Sequence, residues 1–277
     1  MTTIAALLRE ASSQLETETP RLDAELLLGF VLGKNSAWFM AHGDDALPLP
    51  AEERFLALLG RRIVGEPIAH LIGLRGFWTL DLAVTADTLI PRPETELLVE
   101  LAISKCAKDK KLRILDLGTG TGAIALAIAS ECRNAEVIAV DKSIGALQVA
   151  RENGRRNNLQ VEFLQSDWFA ELENQKFDLI VSNPPYIADS DPHLKQGDVR
   201  FEPITALASG ADGLDDIRLI VSRSPDYCLL GAWLMIEHGF DQGEKIRVLF
   251  TEAGFSNVET LQDLERRDRV SLGQWLR

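Results

Sequence analysis

Blocks of basic residues are missing from this 277-residue chain, in which 29 Lys and Arg face 42 Asp and Glu for a formal charge of -13. With a sequence pI near 4.8 as well, no nucleic-acid tail is present and a direct nucleic-acid partner is not expected. Cysteine is scarce. Cys106, Cys132 and Cys228 are odd in number, widely spaced and free of any CxxC pattern, which argues against a disulfide framework or a thiolate metal site and for reduced bystander thiols. His42, His70, His193 and His238 show no paired ligand spacing, so no metal is expected. Long apolar runs are absent too: AIALAIA at 123–129 is far too short to cross a bilayer. Arg9 and Glu10 interrupt what would have to be the apolar centre of a signal peptide. A cytoplasmic protein with no membrane partner is the expectation. Internal repeats and low-complexity tracts are also lacking.

What is present has a clear order. Residues 1–74 read as helices: IAALLREASSQL, then PRLDAELLLGFVLG with Pro20 at a start and Gly33 at an end, then EERFLALLGRRIVG. A small helical N-terminal domain is predicted there. GFWTLDLAVTADTLI follows, with Leu80, Leu82 and Val84 on one face by period two, so residues 75–93 read as a β-hairpin connector able to line a cleft. Pro93 is placed to open the next helix, and residues 94–277 form the main domain. From residue 112 apolar strands alternate with helices: LRILDLG, AEVIAVD, VEFLQSD, FDLIVSN and AWLMIEHG, then late strands near 256–262 and 269–276. That rhythm predicts an α/β fold whose sheet is mostly parallel, seven-stranded and covered on both faces.

Ligands of such sheets sit beyond the carboxyl ends of the strands. Here the early strands end on Asp116 with the loop Gly118, Thr119, Gly120, Thr121, Gly122, then on Asp141, on Asp167 with Trp168, and on Asn183. The glycine loop alone fits the loose dinucleotide pattern and would suit a dehydrogenase. Asp116 shifts the balance, because a carboxylate there repels a pyrophosphate and attracts the ammonium of a methionine moiety. Asp141 is placed for two ribose hydroxyls, and Trp168 with Asp167 for an adenine. S-adenosylmethionine fits these charges better than NAD.

SNPPYI, at 182–187, leaves the fourth of these strands. A primary amide nitrogen is a poor nucleophile, so a catalyst that methylates one must grip its two protons and aim the nitrogen. Asn183 brings a side-chain acceptor, and Pro184 a backbone carbonyl on a stiffened chain. Tyr186 brings a flat face for a planar amide and a nearby cation. Catalysis would then be positioning and desolvation, consistent with the lack of a Ser/His/Asp or Cys/His constellation.

GEPIAHLIG (65–73), FW followed by TLIPRPETE (88–96), ILDLGTGTGAIALA (114–127), SNPPYI and DVRFEPITAL (198–207) closely resemble the release-factor glutamine methyltransferases, the PrmC/HemK family. The likeness covers nearly the whole chain. It implies a Rossmann-like class I methyltransferase domain behind a helical N-terminal domain. It also implies methylation of the glutamine side chain in the GGQ motif of class 1 peptide chain release factors, with S-adenosyl-L-methionine as donor and S-adenosyl-L-homocysteine as product. Residues 118–122, Asp141, Trp168 and Asn183 would bind cofactor; Asn183, Pro184, Pro185 and Tyr186 would hold the glutamine; the N-terminal helices would help dock the release factor. Two departures stand out. Gly76 occupies a place where an acid is common, and QDLERRDRV lacks the glycine often seen shortly before its Asp-Arg.

Alternatives with the same motif are a glutamine methyltransferase of a ribosomal protein and an amino-group methyltransferase of DNA or rRNA, the latter disfavoured by the acidic balance. A noncatalytic S-adenosylmethionine-binding protein has no reason to keep Asn183 and Tyr186. Glu202, Asp212, Asp215 and Asp216 read as solvated loop and helix-start acids, with Glu202 a candidate for the pocket lining. WFAELENQK and RRNN at 155–158 read as exposed surface.

Overall fold

The computed structural model describes residues 2–106 and 111–277 and divides into two units, Met1–Leu74 and Arg75–Arg277. In the first, Ile4, Leu7, Leu8 and Ala11 recur at helical spacing, and α1 (Ile4–Gln14) buries that stripe. Thr3 caps it, its hydroxyl accepting from the Ala6 amide at 3.3 Å. Pro20 opens α2 (Pro20–Leu32), and Gly33, at φ 65°, ends it. The short α3 (Ser36–Ala41), capped by Asn35, was too brief for its periodicity to show in the sequence. α4 (Leu49–Ile63) and α5 (Ile68–Ile72) complete the unit. Leu27 and Leu28 meet Phe55 and Leu59 in its core. Asp23 and Arg62 pair at 2.9 Å, both nearly buried; removing either partner alone would cost about 3–5 kcal/mol.

The second unit begins with a two-stranded sheet, β1 (Leu74–Phe77) and β2 (Leu80–Ala83). Phe77, Leu80 and Leu82 join the main apolar core, so residues 75–93 belong to this unit. The buried Asn153 amide ties β2 down, accepting from the Ala83 amide at 2.7 Å and donating to the Thr121 carbonyl at 2.9 Å. A 3-10 turn, Pro93–Thr95, leads into α6 (Glu96–Ser104).

Then come β3 (Arg113–Leu117), α7 (Ala123–Glu131), β4 (Glu136–Asp141), α8 (Ile144–Arg156), β5 (Glu162–Gln165) and β6 (Phe177–Ser182). α9 (Asp215–Arg223), β7 (Cys228–Glu237), α10 (Gly243–Glu252), β8 (Ser256–Gln262) and β9 (Asp268–Gln274) follow. The seven strands run in the order β5-β4-β3-β6-β7-β9-β8. The first five are parallel to one another, and β9 is antiparallel to β7 and β8. Ile114, Val137 and Leu179 face α6, α7 and the β2 side, while Leu115, Ile138 and Ile180 face α9 and α10. Burial on both faces explains why these strands read as continuous apolar runs. The chain runs outward from β3 to β4 and β5, then returns to β6 on the other side of β3. The reversal leaves an opening at the carboxyl ends of β3 and β6.

One surface reading needs correction, while RRNN at 155–158 is largely exposed, as read. WFAELENQK forms turns rather than a helix, and its Phe169 and Leu172 are buried in the core, Phe169 stacked on Tyr227 at 4.4 Å. Cys106 and Cys132, distant in sequence, lie thiol to thiol; that contact raises the Cys106 pKa and lowers that of Cys132. Burial pushes Cys228 up to about 12. No helix among the described residues is long and apolar enough to cross a membrane.

Candidate active site

The loop after β3 is stitched to its neighbours. The Gly118 and Thr119 amides both donate to the Val140 carbonyl at 2.9 Å, and the Ser182 hydroxyl donates to the Leu117 carbonyl at 2.7 Å. Gly118 holds φ 73°, and a Cβ there would stand 3.2 Å from the Trp168 ring, so the loop passes directly beneath the indole. The Gly120 amide donates to one Asp141 oxygen at 2.8 Å and the Ser143 amide to the other at 2.8 Å. Burial raises the Asp141 pKa against these hydrogen bonds.

These elements wall a cavity of about 620 Å³ at the switch point, a size suited to a nucleoside-like ligand. Gly118, Thr119, Gly120, Thr121, Asp141, Asp167, Trp168, Asn183 and Pro185 line it. Asp116, Gly122, Pro184 and Tyr186 stand outside the wall. At Gly122 a side chain would press on Leu126 and Ala150, so that glycine serves helix packing. Sequence reasoning missed Thr88, Pro91, Arg92 and Thr95, which the TLIPRPETE segment brings to the wall, and Asp216.

Asp116 sits behind the loop, fully buried. Its Oδ2 accepts from the Thr119 hydroxyl at 2.6 Å, while Oδ1 has no partner. Burial pushes its pKa up to about 7, against the pull of Thr119 and the Ala125 amide. Beyond Thr119 and the Ala125 amide the buried carboxylate has no further donor, and the desolvation of its charge would be offset by a cation brought to it. An ammonium entering the loop is the group that would satisfy it.

Trp168 takes φ 52°, and its indole N–H donates to Asp216 at 3.2 Å. The other Asp216 oxygen accepts from the Ser209 hydroxyl at 2.7 Å. Asp216 is therefore engaged in the site, while Asp212 and Asp215 are the solvated loop and helix-start acids that the sequence implies. Asp212 and Asp215 pair with Arg218 at 2.6 and 3.0 Å. Glu202 is buried; it accepts from the Ile90 amide at 2.8 Å and pairs with Arg92. It braces the wall from behind and does not line it.

Asn183 leaves β6 with its Nδ2 donating to Thr95 Oγ1 at 3.2 Å. The chain beyond it is pinned: the Tyr186 carbonyl accepts from Gln242 at 2.9 Å. A Cβ on Gly213, at φ 74°, would stand 2.2 Å from that carbonyl, so no side chain fits there. Burial raises the Tyr186 phenol, which stays a neutral donor. The result is a cavity with a carboxylate-backed loop at one end and a fixed carboxamide at the other, able to hold a cationic donor beside a planar amide.

Comparison with known proteins identifies the family. A family described as PrmC N-terminal domain matches residues 6–73, and one described as methyltransferase small domain matches residues 93–199. The release factor glutamine methyltransferase of Xylella fastidiosa is 51% identical over 270 residues, 97% of each chain. That of Escherichia coli K12 is 50% identical over 97% of each chain. A crystal structure of a methyltransferase from Pyrococcus furiosus covers 79% of this chain and 98% of its own at 17% identity and TM-score 0.54, which supports the fold. Identity at that level along nearly the full length of both chains means that this chain belongs to the release factor glutamine methyltransferase family.

Proposed function

We propose that the protein methylates the side-chain amide nitrogen of the glutamine in the GGQ motif of class 1 peptide chain release factors, acting in the cytoplasm on S-adenosylmethionine. The observation that carries this reading is the fixed carboxamide of Asn183 at the cavity wall, with Nδ2 turned to Thr95. Its Oδ1 is left to accept a proton of an incoming amide, and the Pro184 carbonyl takes the other. Bound S-adenosylmethionine supplies an electrophilic methyl on a sulfonium. Asp116 Oδ1 suits the ammonium of that molecule, Asp141 its ribose, and Trp168 its adenine. The residues named do no covalent chemistry: they orient the glutamine nitrogen, exclude water from it and hold its protons until the methylated amide sheds one to solvent.

Docking of the release factor falls to the first unit. Leu22, Leu26 and Phe30 of α2 recur every fourth residue and are exposed by 48%, 42% and 47%. An apolar stripe of that kind on a surface helix suits a protein partner.

The test is incubation with S-adenosylmethionine and an unmodified release factor, read by peptide mass spectrometry beside an Asn183→Ala control. One added methyl on the GGQ glutamine, absent from the control, is the expected result. Methyl transfer to a ribosomal protein or RNA instead would overturn the reading.

A further inference from the structure

Glu237 ends β7 behind the apolar run Leu234, Met235, Ile236, and is 1% exposed. It lies outside the cavity wall. Its Oε2 has no hydrogen-bond partner. Burial pushes its pKa up to about 7, while the Thr95 hydroxyl, Arg269 and the Asn183 amide favour the charged form and Glu94 opposes it. The carboxylate in turn raises the Tyr186 phenol. The neighbouring His238 ring is occupied elsewhere, its nitrogens 2.8 Å from the Gly239 carbonyl and 2.8 Å from Ser271 Oγ.

Thr95, 4% exposed, is the link. A hydroxyl has one proton to give. With Asn183 Nδ2 donating into Oγ1 at 3.2 Å, that proton must find an acceptor, and the Glu237 carboxylate is the anion beside it. We infer that Glu237, together with Thr95, is a positioning residue that holds the Asn183 carboxamide with Nδ2 inward and Oδ1 toward the substrate amide, an inference that rests on the proposed glutamine methylation. A charged carboxylate only accepts, so the donors run one way, from Asn183 to Thr95 and from both toward Glu237. A neutral group at 237 can donate to Thr95, whose proton then turns to Asn183 Oδ1. The carboxamide rotates, and the substrate NH₂ meets another NH₂.

Glu237→Gln keeps volume and removes the charge; Thr95→Val keeps volume and removes the hydroxyl; Thr95→Ser keeps the hydroxyl. Wild type and variants are compared by initial methylation rates at varied release factor and pH, by calorimetry with S-adenosylmethionine, and by thermal melts. Glu237→Gln and Thr95→Val are expected to lose about 10- to 100-fold in kcat, the scale typical of second-layer hydrogen-bond partners. Release-factor KM and cofactor Kd stay within about twofold of wild type, and Thr95→Ser keeps most of the rate. The wild-type kcat falls on the acid side of neutrality, and that limb is absent from Glu237→Gln. A kcat unchanged in Glu237→Gln, or a loss matched by equal losses in cofactor affinity and melting temperature, would overturn the inference. A wild-type protein that leaves the release-factor glutamine unmethylated would remove the functional reading and this inference together, before any variant is measured.

Discussion

The Trp168 indole N–H reaches across 48 residues of chain to Asp216, at 3.2 Å. The same aspartate is fixed by Ser209, whose Oγ also accepts from the Asp216 amide at 2.9 Å. Trp168 holds a left-handed backbone at φ 52°, a conformation that costs a non-glycine residue about 1 kcal/mol or more. Asp216→Ala leaves the indole without its acceptor, at a cost of about 1 kcal/mol. Calorimetry is expected to show S-adenosylmethionine affinity about fivefold weaker, since each 1.4 kcal/mol is tenfold, while Asp216→Asn retains it. Unchanged affinity in Asp216→Ala would remove Trp168 orientation from the account of cofactor binding.

Asp116 makes stability depend on pH in a definite direction. Its folded-state pKa, about 7, lies above the ordinary 3.8 because the group is buried. Its contribution to stability is therefore full below about pH 4 and is lost as pH rises through about 7. Urea midpoints of Asp116→Asn minus wild type should climb between those values and level off above them. The variant also loses the negative charge proposed to attract the cofactor ammonium, so it gains stability and loses affinity. A difference in midpoint that stays flat with pH would show that the carboxylate is not desolvated.

Arg266 occupies the turn before β9 at φ 62°, its amide donating to the Asp263 carbonyl at 2.9 Å. This turn lies in the stretch where the resemblance implies a glycine shortly before Asp268 and Arg269. Arg266→Gly should raise stability by about 0.5–1 kcal/mol, because relief of left-handed strain exceeds the added unfolded-state entropy. The other departure is sterically open. A Cβ on Gly76 meets nothing within 4 Å, so Gly76→Glu should melt no lower than wild type. A melt lowered in either variant would contradict the local geometry.

The α2 stripe supplies a prediction with two separable readouts. Leu26→Glu with Phe30→Glu should raise the KM for release factor about tenfold or more, as loss of central apolar anchors does. Cofactor Kd and melting temperature should hold, since both side chains are exposed. Unchanged KM would send the docking surface elsewhere.

Much of the site could be read from residues alone because strand-end positions are local. Asp116, Asp141 and Asn183 each follow an apolar strand, and a parallel sheet brings such ends to one edge. The same rule applies to Glu237, which follows Leu234, Met235 and Ile236 in the strand AWLMIEHG. The pairings between elements were not legible. Ile90 with Glu202 spans 112 residues, and Asn183 with Thr95 spans 88. Nothing local distinguishes those acids and hydroxyls from solvated ones. Phe169 and Leu172 were hidden by polar neighbours in a turn whose period matches neither helix nor strand. β7 begins at Cys228 rather than at the later apolar run, since its first residues pair on the backbone while Leu229 and Leu230 face solvent.

The parallel bridge between Ile187 and Ala208 closes the segment between them into a loop with joined feet. The Ile187 amide donates to the Leu207 carbonyl at 2.9 Å, and the Ser209 amide to the Ile187 carbonyl at 2.9 Å. Within that loop only the later part, with Glu202 on the Ile90 amide and Pro203, Thr205 and Ala206 on the cavity wall, is committed to the site. Residues 188–198 contribute nothing to the cavity wall, and they are held by the Asp189 amide on the Gly210 carbonyl at 2.9 Å and by the buried Leu194. A loop whose feet are already joined gains residues cheaply, each doubling costing only about 0.6 kcal/mol. An insertion among its exposed residues, at Gln196 or Gly197, should therefore leave the cavity wall where it is.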